Sequence, residues 1–234
     1  MTRILSLNIR HGGGSRMNNL VEWIGRQSPG ATIITEWRNN ASGQQLRNGL
    51  LSGGLRSFSG VRGPKINSTL LAAGEFTYSE MITPPNSPAG EMALLSLNSV
   101  TVIGCYFPQR MAKIPFFERC IEVAAKAQHL PLLIIGDFNT GRNDLDIEGN
   151  GTRFDCADQF IGLCNQAGLS DLWRFRHGQR REWTWRSAKN GFRIDHAFGN
   201  QAFIDRFPNY RCEIDHKPRL MGLTDHSALL VDLQ

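Results

Sequence analysis

The sequence predicts an α/β (α+β) fold in which β-sheets are covered by helices on their outer faces. Strand candidates outnumber helix candidates, with hairpin-like pairs in the middle of the chain and β-α crossings elsewhere. Hydrophobic residues make up 41% of the 234 residues and charged residues 20%, which is typical of a globular protein with a sizeable core. Because no repeat or long Pro/Gly/Ser linker divides the chain, we expect a single domain over residues 1–234.

The first half of the chain begins with a strand candidate, Ile4–Ile9, that runs into the glycine loop at Gly12. Ser15 is expected to cap a helix whose apolar residues share one face by three-and-four spacing. Ala31–Thr35 is apolar and β-branched, which predicts a buried strand running into Glu36. A helix over Gln44–Leu51 and strands over Thr69–Ala73, Met92–Leu97 and Thr101–Tyr106 follow.

The second half begins with Ala112–His129, for which we predict a long helix. Pro131 cannot continue that helix and opens the predicted strand Leu132–Ile135. A further helix is predicted over Cys156–Ala167, and further strands over Thr184–Arg186, Arg193–Phe198 and Ala228–Leu233.

Cysteine usage and hydropathy indicate the compartment. The five cysteines are scattered and form no Cys-x-x-Cys pair, so a disulfide framework or a zinc knuckle is not expected. No apolar run approaches the roughly 20 residues that cross a bilayer, and the apolar N-terminal stretch is too short and interrupted for a signal peptide. We therefore expect a reduced, cytoplasmic protein with neither a membrane partner nor an obligate protein partner.

Positive charge is concentrated in one segment. The formal net charge is +5 and the pI about 9.2, which favours a polyanionic partner. From Arg174 to Arg193 there are seven Lys or Arg residues against one acid, Glu182, with tryptophans among and next to them. Such a segment suits nucleic acid, with Arg174, Arg186 and Arg193 as candidate substrate-binding residues. The alternative is a solvated loop whose tryptophans turn into the core.

Polar residues that could bind a metal ion or transfer a proton fall at or just past the ends of predicted strands, except that Asp195 lies inside the predicted Arg193–Phe198 strand and Asp225-His226 precede the last strand. A strand fixes the backbone and its end is open to solvent, so α/β proteins place ligand and catalytic groups there. Carboxylates and amides without a competing cysteine favour Mg²⁺, with Mn²⁺ able to substitute, over zinc. Hydrolysis of an anionic phosphodiester needs a cation and a base, which this set can supply. The residues are Asn8, Glu36, Tyr106, Asp137, Asn139, Asp195, Asp225 and His226.

Other hydrolytic and nucleotide-binding motifs are missing from the sequence. It contains neither a Gly-x-Ser-x-Gly elbow nor a Walker-type Gly-x-x-x-x-Gly-Lys, which argues against a serine nucleophile and a P-loop. Taken singly, Gly136-Asp137-Phe138-Asn139 could be a capped turn, and Glu36 or Asp195 could be a solvated or paired charge. It is their joint arrangement that favours phosphoryl chemistry.

The order of these motifs resembles that of the endonuclease/exonuclease/phosphatase superfamily over nearly the whole chain. The resemblance implies a four-layered sandwich of two mostly antiparallel β-sheets flanked by helices. The motif that begins at Tyr106 resembles that of the exonuclease III and abasic-site endonuclease branch. That branch carries a tyrosine at this position, where other branches carry a histidine. The motifs are Leu5-Ser6-Leu7-Asn8, Ile34-Thr35-Glu36, Tyr106-Phe107-Pro108-Gln109, Gly136-Asp137-Phe138-Asn139, Arg193-Ile194-Asp195-His196 and Thr224-Asp225-His226-Ser227.

The resemblance implies a Mg²⁺-dependent nuclease of DNA repair that leaves a 3′-hydroxyl and a 5′-phosphate. Glu36 would be the principal metal ligand with Asn8 beside it, and Asp225 would complete the metal-binding edge. Asp137 would orient or deprotonate the attacking water, with Asn139 helping to hold the phosphate.

The remaining roles follow from the same resemblance. His226 would stabilise the phosphoryl transition state, oriented by Asp195, and Tyr106 would contact the phosphate or the leaving group. Phe192 and Ile194 fall where abasic-site enzymes build the pocket for an extruded sugar.

Departures from the pattern bear on the substrate. Arg10 stands where abasic-site enzymes often carry an aspartate, which places a second metal position in doubt. Thr35 and Trp37 replace a more usual glutamine and basic residue, and the segment from Asn139 to Asp195 is shorter than in exonuclease III. Two alternatives therefore stay open: a phosphodiesterase or phosphatase acting on RNA, nucleotides or a phosphorylated lipid or sugar, and a non-catalytic nucleic-acid-binding member of the fold.

Overall fold

The computed structural model of the chain describes residues 2–51, 55–60 and 69–234. Within these ranges the strands form two six-stranded sheets and a two-stranded ribbon. The strands are β1 (Thr2–Asn8), β2 (Ala31–Trp37), β3 (Arg56–Ser59), β4 (Thr69–Gly74), β5 (Tyr78–Met81), β6 (Glu91–Ser96), β7 (Thr101–Tyr106), β8 (Leu132–Asp137), β9 (Ser170–Asp171), β10 (Trp185–Arg186), β11 (Gly191–Phe192), β12 (Asp195–Gly199), β13 (Arg211–Asp215) and β14 (Ala228–Leu233). The helices are α1 (Met17–Arg26), α2 (Ala41–Leu51), α3 (Ile114–Lys126), α4 (Ala157–Ala167), α5 (Leu172–His177), α6 (Gln201–Arg206) and α7 (Lys217–Leu220).

Both large sheets are mostly antiparallel, as predicted. The first has the strand order β13-β14-β1-β2-β4-β3 and the second the order β5-β6-β7-β8-β12-β9. Parallel pairing joins β1 to β2 and β7 to β8, and a helix lies between the two strands of each pair along the chain. Parallel neighbours need such a crossover, whereas antiparallel neighbours can be joined by short turns. The ribbon consists of β10 and β11.

The two sheets pack face to face, and helices cover their outer faces. Side chains alternate along each strand, so one set enters the space between the sheets and the other faces the helices. In β1, Ile4 belongs to the core between the sheets, while Leu5 belongs to the core beneath α1 and α2. Phe116 of α3 and Phe160 of α4 pack in the core on the outer face of the second sheet. These four layers confirm the predicted sandwich.

The first helix starts later than the sequence predicts. Ser15 is not its N-cap, because Gly14–Arg16 form a 3-10 turn and α1 begins at Met17. The predicted helix over Ala112–His129 is likewise shorter at both ends, since α3 runs from Ile114 to Lys126 and follows another 3-10 turn. Every helix in the described ranges is too short or too polar to span a membrane.

The predicted strand over Arg193–Phe198 is divided. The ribbon strand β11 ends at Phe192 and β12 begins at Asp195, so Asp195 opens a strand rather than lying inside one. Between them Arg193 turns into the interior and forms buried ion pairs. The short edge strands β3, β5, β9 and β13 lie outside the predicted set.

Candidate active site

Several predicted site residues lie at strand ends on the inner faces of the sheets. Asn8 ends β1, Tyr106 ends β7 and Asp137 ends β8, and alternation places each on the face that forms the core between the sheets. Tyr106 and Asp137 are register partners in the parallel pair, and Asp195 is the antiparallel partner of Asp137. The topology therefore brings these four side chains to one end of the sandwich.

Glu36 reaches the same place through a β-bulge. Strict alternation along β2 would direct Glu36 towards the helices and Trp37 into the space between the sheets. Instead, pairing with β4 shifts between Thr35 and Trp37, and Glu36 adopts a φ of 57°. A bulge re-aims side chains, so Glu36 lines a cleft while the Trp37 indole is buried and donates to the Gly43 carbonyl oxygen at 2.9 Å. Left-handed backbone at such a residue costs about 1–3 kcal/mol and concentrates at functional sites.

Asn8 links the carboxylates of the two sheets. Its Nδ2 donates to Oε1 of Glu36 at 3.1 Å and to Oδ2 of Asp137 at 2.9 Å, while its Oδ1 accepts from the Arg10 backbone N–H at 2.9 Å. The Tyr106 hydroxyl lies 3.5 Å from Glu36 Oε1. Burial, with the charges of Glu36 and Asp137, raises the pKa of Tyr106 well above its usual range. The phenol therefore stays protonated and acts as a hydrogen-bond donor.

His226 and Asp195 form a buried ion pair beside Asp137. His226 Nδ1 lies 2.8 Å from Asp195 Oδ2. Burial alone would lower the pKa of His226, but the charge and hydrogen bond of Asp195, with Asp137 and Asp225 nearby, raise it to about 9. Burial, followed by the Asp195 charge, raises the pKa of Asp137 to about 7. The site thus holds an imidazolium next to a carboxyl group that titrates near neutrality, which suits acid–base chemistry.

Asn139 fixes the position of Asp137. It has a left-handed backbone, with φ 51°, and its N–H donates to Asp137 Oδ1 at 2.9 Å. The side-chain Nδ2 of Asn139 donates to the Phe107 carbonyl oxygen at 2.8 Å. The backbone carbonyl oxygen of Asn139 accepts from Lys113 Nζ at 2.5 Å. Burial lowers the pKa of Lys113. Hydrogen bonds with Asp137, Phe107 and Lys113 therefore fix Asn139 where it borders the cleft.

The cleft above these residues has a volume of about 410 Å³. Phe192 and Ile194 line the cleft and form part of an apolar wall. The Phe192 ring lies 5.6 Å from that of Phe154 and 5.7 Å from that of Trp185, so three aromatic rings form one surface. The cleft is also lined by basic or imidazole side chains, which are Arg10, His11, Arg110, Lys113, Arg153 and His226.

A second cavity, of about 490 Å³, lies at the opposite end of the first sheet. It is bordered by Thr2 at the start of β1 and by Leu233 at the end of β14. Glu75 is the one titratable side chain among its described lining residues. The cavity therefore offers no acid–base pair, and the chemistry belongs to the cleft at Asp137.

Oxygen donors for a divalent cation converge on the cleft. Glu36 and Asp225 line it, and Asn8 lies between Glu36 and Asp137. This hard-oxygen set fits Mg²⁺ or Mn²⁺. Asp137, Asp195 and His226 also offer three ligand atoms within 4.8 Å of one another. Because Asp195 is held by the protonated imidazole of His226, however, a cation fits the Glu36 side better.

Arg193 and Arg174 do not reach the substrate surface to which the sequence analysis assigned them. Arg193 is fully buried, with Nε 2.8 Å from Asp146 Oδ1 and a terminal nitrogen 2.6 Å from Asp171 Oδ2. Arg174 pairs with the same Asp146 at 2.6 Å. A buried guanidinium needs such partners to offset its desolvation. Both arginines therefore stabilise the folded interior through ion pairs, and neither lines the cleft as a substrate contact.

The basic, tryptophan-bearing segment has features of both interpretations, the substrate-binding surface and the loop whose tryptophans turn into the core. Trp173 is buried in the core between the sheets, as the alternative expects. Trp185 lines the cleft, as a stacking role expects. Arg186 is partly exposed on β10, outside the described lining of the cleft, and pairs with Glu148.

Sequence reasoning missed several residues of the cleft. Lys113 fell inside a predicted helix, where a single lysine is usually a solvated charge. Its position after the Tyr106 motif and before an apolar helical face is the signal that could have identified it. Arg110, Arg153 and Phe154 come from turns and loops that carry no periodic pattern. The Arg193 partners Asp146 and Asp171 could not be paired with it from spacing alone.

Comparisons with known proteins agree with this architecture. A sequence profile of the Endonuclease/Exonuclease/phosphatase family matches residues 5–226. The curated proteins contain no match. Similar solved structures include a 3′ phosphatase, NExo (a variant), from Neisseria bound to a product DNA hairpin, with TM-score 0.81 and 17% identity, and the 3′-5′ exonuclease NExo from Neisseria meningitidis, with TM-score 0.80 and 17% identity. An AP endonuclease from Archaeoglobus fulgidus has TM-score 0.78 and 16% identity. Each alignment covers 100% of both chains, and at these identities the likeness shows the fold.

Proposed function

The chain belongs to the Endonuclease/Exonuclease/phosphatase family, and from this premise we propose that it is a divalent-metal-dependent phosphodiesterase that cleaves DNA. Its products would be a 3′-hydroxyl and a 5′-phosphate. The observation that carries the proposal is the buried cluster of Asp137, Asp195 and His226, whose side-chain oxygen and nitrogen atoms lie within 4.8 Å of one another and offer a base beside an ion-paired imidazole. Asp137 and His226 line a cleft with basic and aromatic walls, which suits a phosphodiester substrate.

Each buried group has a distinct role in this reaction. Asp137 accepts a proton from the attacking water, and a pKa near the working pH favours that role. His226 carries a positive charge that stabilises the phosphoryl group as its charge develops, and Asp195 orients the imidazole. Tyr106 donates a hydrogen bond from its protonated hydroxyl, and Asn139 holds Asp137 in place.

The cation would be held on the side of Asn8 that faces Glu36, opposite to Asp137. Glu36 is the principal ligand in this proposal, with Asn8 beside it and Asp225 as a third candidate. Bound Mg²⁺, or Mn²⁺ in its place, would neutralise charge on the phosphoryl oxygens. The Asn8 hydrogen bonds to Glu36 and Asp137 would set the spacing between ligand and base.

DNA is the substrate that the cleft walls favour. Phosphates would contact Arg110 and Arg153, while Phe192 and Ile194 offer an apolar surface to a sugar or base. The similar Neisseria structure, which is bound to a product DNA hairpin, supports nucleic acid as the partner.

A substrate panel tests the proposal. The purified chain is incubated with Mg²⁺, Mn²⁺ or EDTA on abasic duplex, nicked duplex, single-stranded DNA, RNA and a small aryl phosphodiester. We expect cleavage of a DNA substrate in the metal-containing lanes and none in EDTA. No cleavage of any substrate would refute the enzymatic proposal. Cleavage of the aryl ester or RNA without any DNA substrate would refute the assignment to DNA alone.

The variant Asp137→Ala is the internal control for contaminating nucleases. It should abolish cleavage, while its thermal midpoint stays within a few degrees of the wild type, since one buried charge next to Asp195 is removed. Glu36→Gln should act through metal binding and lower the apparent affinity for Mg²⁺. Full cleavage by either variant would contradict the assigned roles.

A further inference from the structure

The turn after β1 holds Arg10 in an unusual conformation. Arg10 and His11 both adopt left-handed backbone, with φ of 53° and 52°. Two consecutive non-glycine residues in this region are costly, so surrounding contacts must hold them. The Arg10 N–H donates to Asn8 Oδ1 at 2.9 Å, and its carbonyl oxygen accepts from Arg16 at 2.7 Å. The backbone is therefore fixed by a residue of the active site itself.

This turn directs the Arg10 side chain into the cleft. Its Nε lies 3.6 Å from Oδ2 of Asp225, and both residues line the cleft. The same Asp225 oxygen accepts the Trp185 indole N–H at 3.1 Å, and Thr224 Oγ1 lies 3.4 Å from the other oxygen. Asp225 thus faces donors from three elements of the protein, with a positive charge among them.

Arg10 also has the exposure that a substrate contact requires. Its side chain is 54% exposed, against 27% for that of Asp225. An exposed pair at this separation contributes little stability, so a phosphate can compete for the guanidinium. A guanidinium binds two phosphate oxygens in one plane, which an ammonium cannot do.

Resting on the proposed function, we infer that Arg10 is a further substrate-binding residue that takes the charge of Asp225 in place of a second divalent cation. The cation is then held by Glu36 and Asn8, and Asp225, the third candidate ligand of the proposed function, serves instead to orient Arg10. During turnover the guanidinium moves from Asp225 to a non-bridging oxygen of the bound phosphate. The substrate class is an anionic phosphodiester whose oxygens face both a metal ion and an arginine.

The test counts bound Mn²⁺ by electron paramagnetic resonance of the free ion, in the absence of substrate. The wild type should bind one Mn²⁺ per chain, and so should Arg10→Lys, which keeps the charge. Arg10→Ala should bind a second Mn²⁺, and Arg10→Ala combined with Asp225→Asn should return to one. The matched control is Arg26→Ala, because Arg26 pairs with Glu22 on the exposed surface of α1, outside the described cleft.

A kinetic arm tests the phosphate contact. On the best DNA substrate of the panel, Arg10→Ala should lower kcat/KM by about tenfold or more, as expected for loss of a charge-assisted hydrogen bond. Arg10→Lys should retain part of that activity, and Arg26→Ala should match the wild type.

The outcomes separate this inference from the proposed function. Two Mn²⁺ ions in the wild type, or one in Arg10→Ala, would overturn the inference that Arg10 neutralises Asp225 in place of a second cation. An unchanged kcat/KM in Arg10→Ala would overturn the phosphate contact, while cleavage by the wild type would leave the proposed function standing. Mn²⁺ counts as expected with no cleavage of any substrate would instead refute the proposed function alone.

Discussion

The Nδ1 atom of His226 lies 2.8 Å from Oδ2 of Asp195, and both side chains are almost fully buried. Asp195 is also the register partner of Asp137, so one sheet carries both the carboxylate that contacts the imidazole and the one proposed as the base. His226 comes from the loop before β14 in the other sheet. The site is therefore assembled across the interface between the sheets, and its geometry depends on how they pack.

Removing the Asp195 charge should slow turnover without unfolding the protein. In Asp195→Asn the imidazole loses the carboxylate that holds its charged form, and we expect kcat to fall by roughly 10²-fold or more. Asp205→Asn is the matched control, because Asp205 is exposed on α6 after the far end of β12. Steady-state kinetics with Mg²⁺ and a thermal melt check both expectations. A kcat equal to that of Asp205→Asn would show that the ion pair does not act in catalysis.

Gly136 should tolerate no side chain. A Cβ atom at this position would lie 1.9 Å from the Cys105 carbonyl oxygen of the neighbouring strand. We expect Gly136→Ala to lower the free energy of unfolding by more than about 3 kcal/mol, because backbone must move to relieve the clash. Gly25→Ala in α1 is the control, since an added Cβ there meets no atom within 4 Å and should raise stability slightly. Urea unfolding that ranks the two variants equally would contradict this account.

The buried ion pairs beneath the cleft should make stability sensitive to acid. Burial alone would raise the pKa of Asp171, but the charge and the hydrogen bonds of Arg193 hold it well below its usual range. A depressed pKa in the folded state contributes stability above the unfolded pKa of about 3.9, and that stability is lost as the pH falls below it. We expect Asp171→Asn to cost about 3 kcal/mol at pH 7 and progressively less towards pH 2.5.

Urea unfolding at a series of pH values measures this difference. Asp144→Asn is the control, because the Asp144 carboxylate is 60% exposed and its pair with Arg142 should contribute little at any pH. A cost for Asp171→Asn that stays constant from pH 7 to pH 2.5 would show that the ionised carboxylate is not the stabilising form.

The aromatic wall should affect nucleic acid binding and leave the chemistry alone. Phe192 lies against both Phe154 and Trp185, and stacking of a base on such a surface contributes about 1–3 kcal/mol. We expect Phe192→Ala to raise KM for DNA by about tenfold, with little change on the small aryl phosphodiester. Phe175→Ala is the control, because Phe175 is 58% exposed and lies outside the described lining of the cleft. Equal KM values for the two variants would contradict the stacking role.

Strand-end residues were predictable because apolar runs locate strands. That reasoning placed Asn8, Tyr106 and Asp137 at strand ends, where the structure has them, but it did not predict that the three side chains share one end of the sandwich. It could not predict the bulge at Glu36, because no residue in Ile34-Thr35-Glu36 marks a change of register. The family pattern supplied Glu36 where periodicity would have directed it outward.

Long-range pairing was the part that the sequence could not provide. Arg193 bonds to Asp146 and Asp171, which are 47 and 22 residues away, so its burial depends on loops that have no periodicity. Composition alone placed it among the exposed basic residues. The contact between Arg10 and Asp225 spans nearly the whole chain and became visible only once the sheets were packed.

Single-turnover cleavage by Asp137→Asn tests the central claim most directly. The substitution keeps the size of the side chain and removes the group that accepts the proton, while Asn8 and Asn139 still border it. With saturating Mg²⁺ and the best DNA substrate, we expect the cleavage rate to fall by about 10³-fold with DNA affinity unchanged. A rate within a few-fold of the wild type would show that Asp137 is not the base of this site.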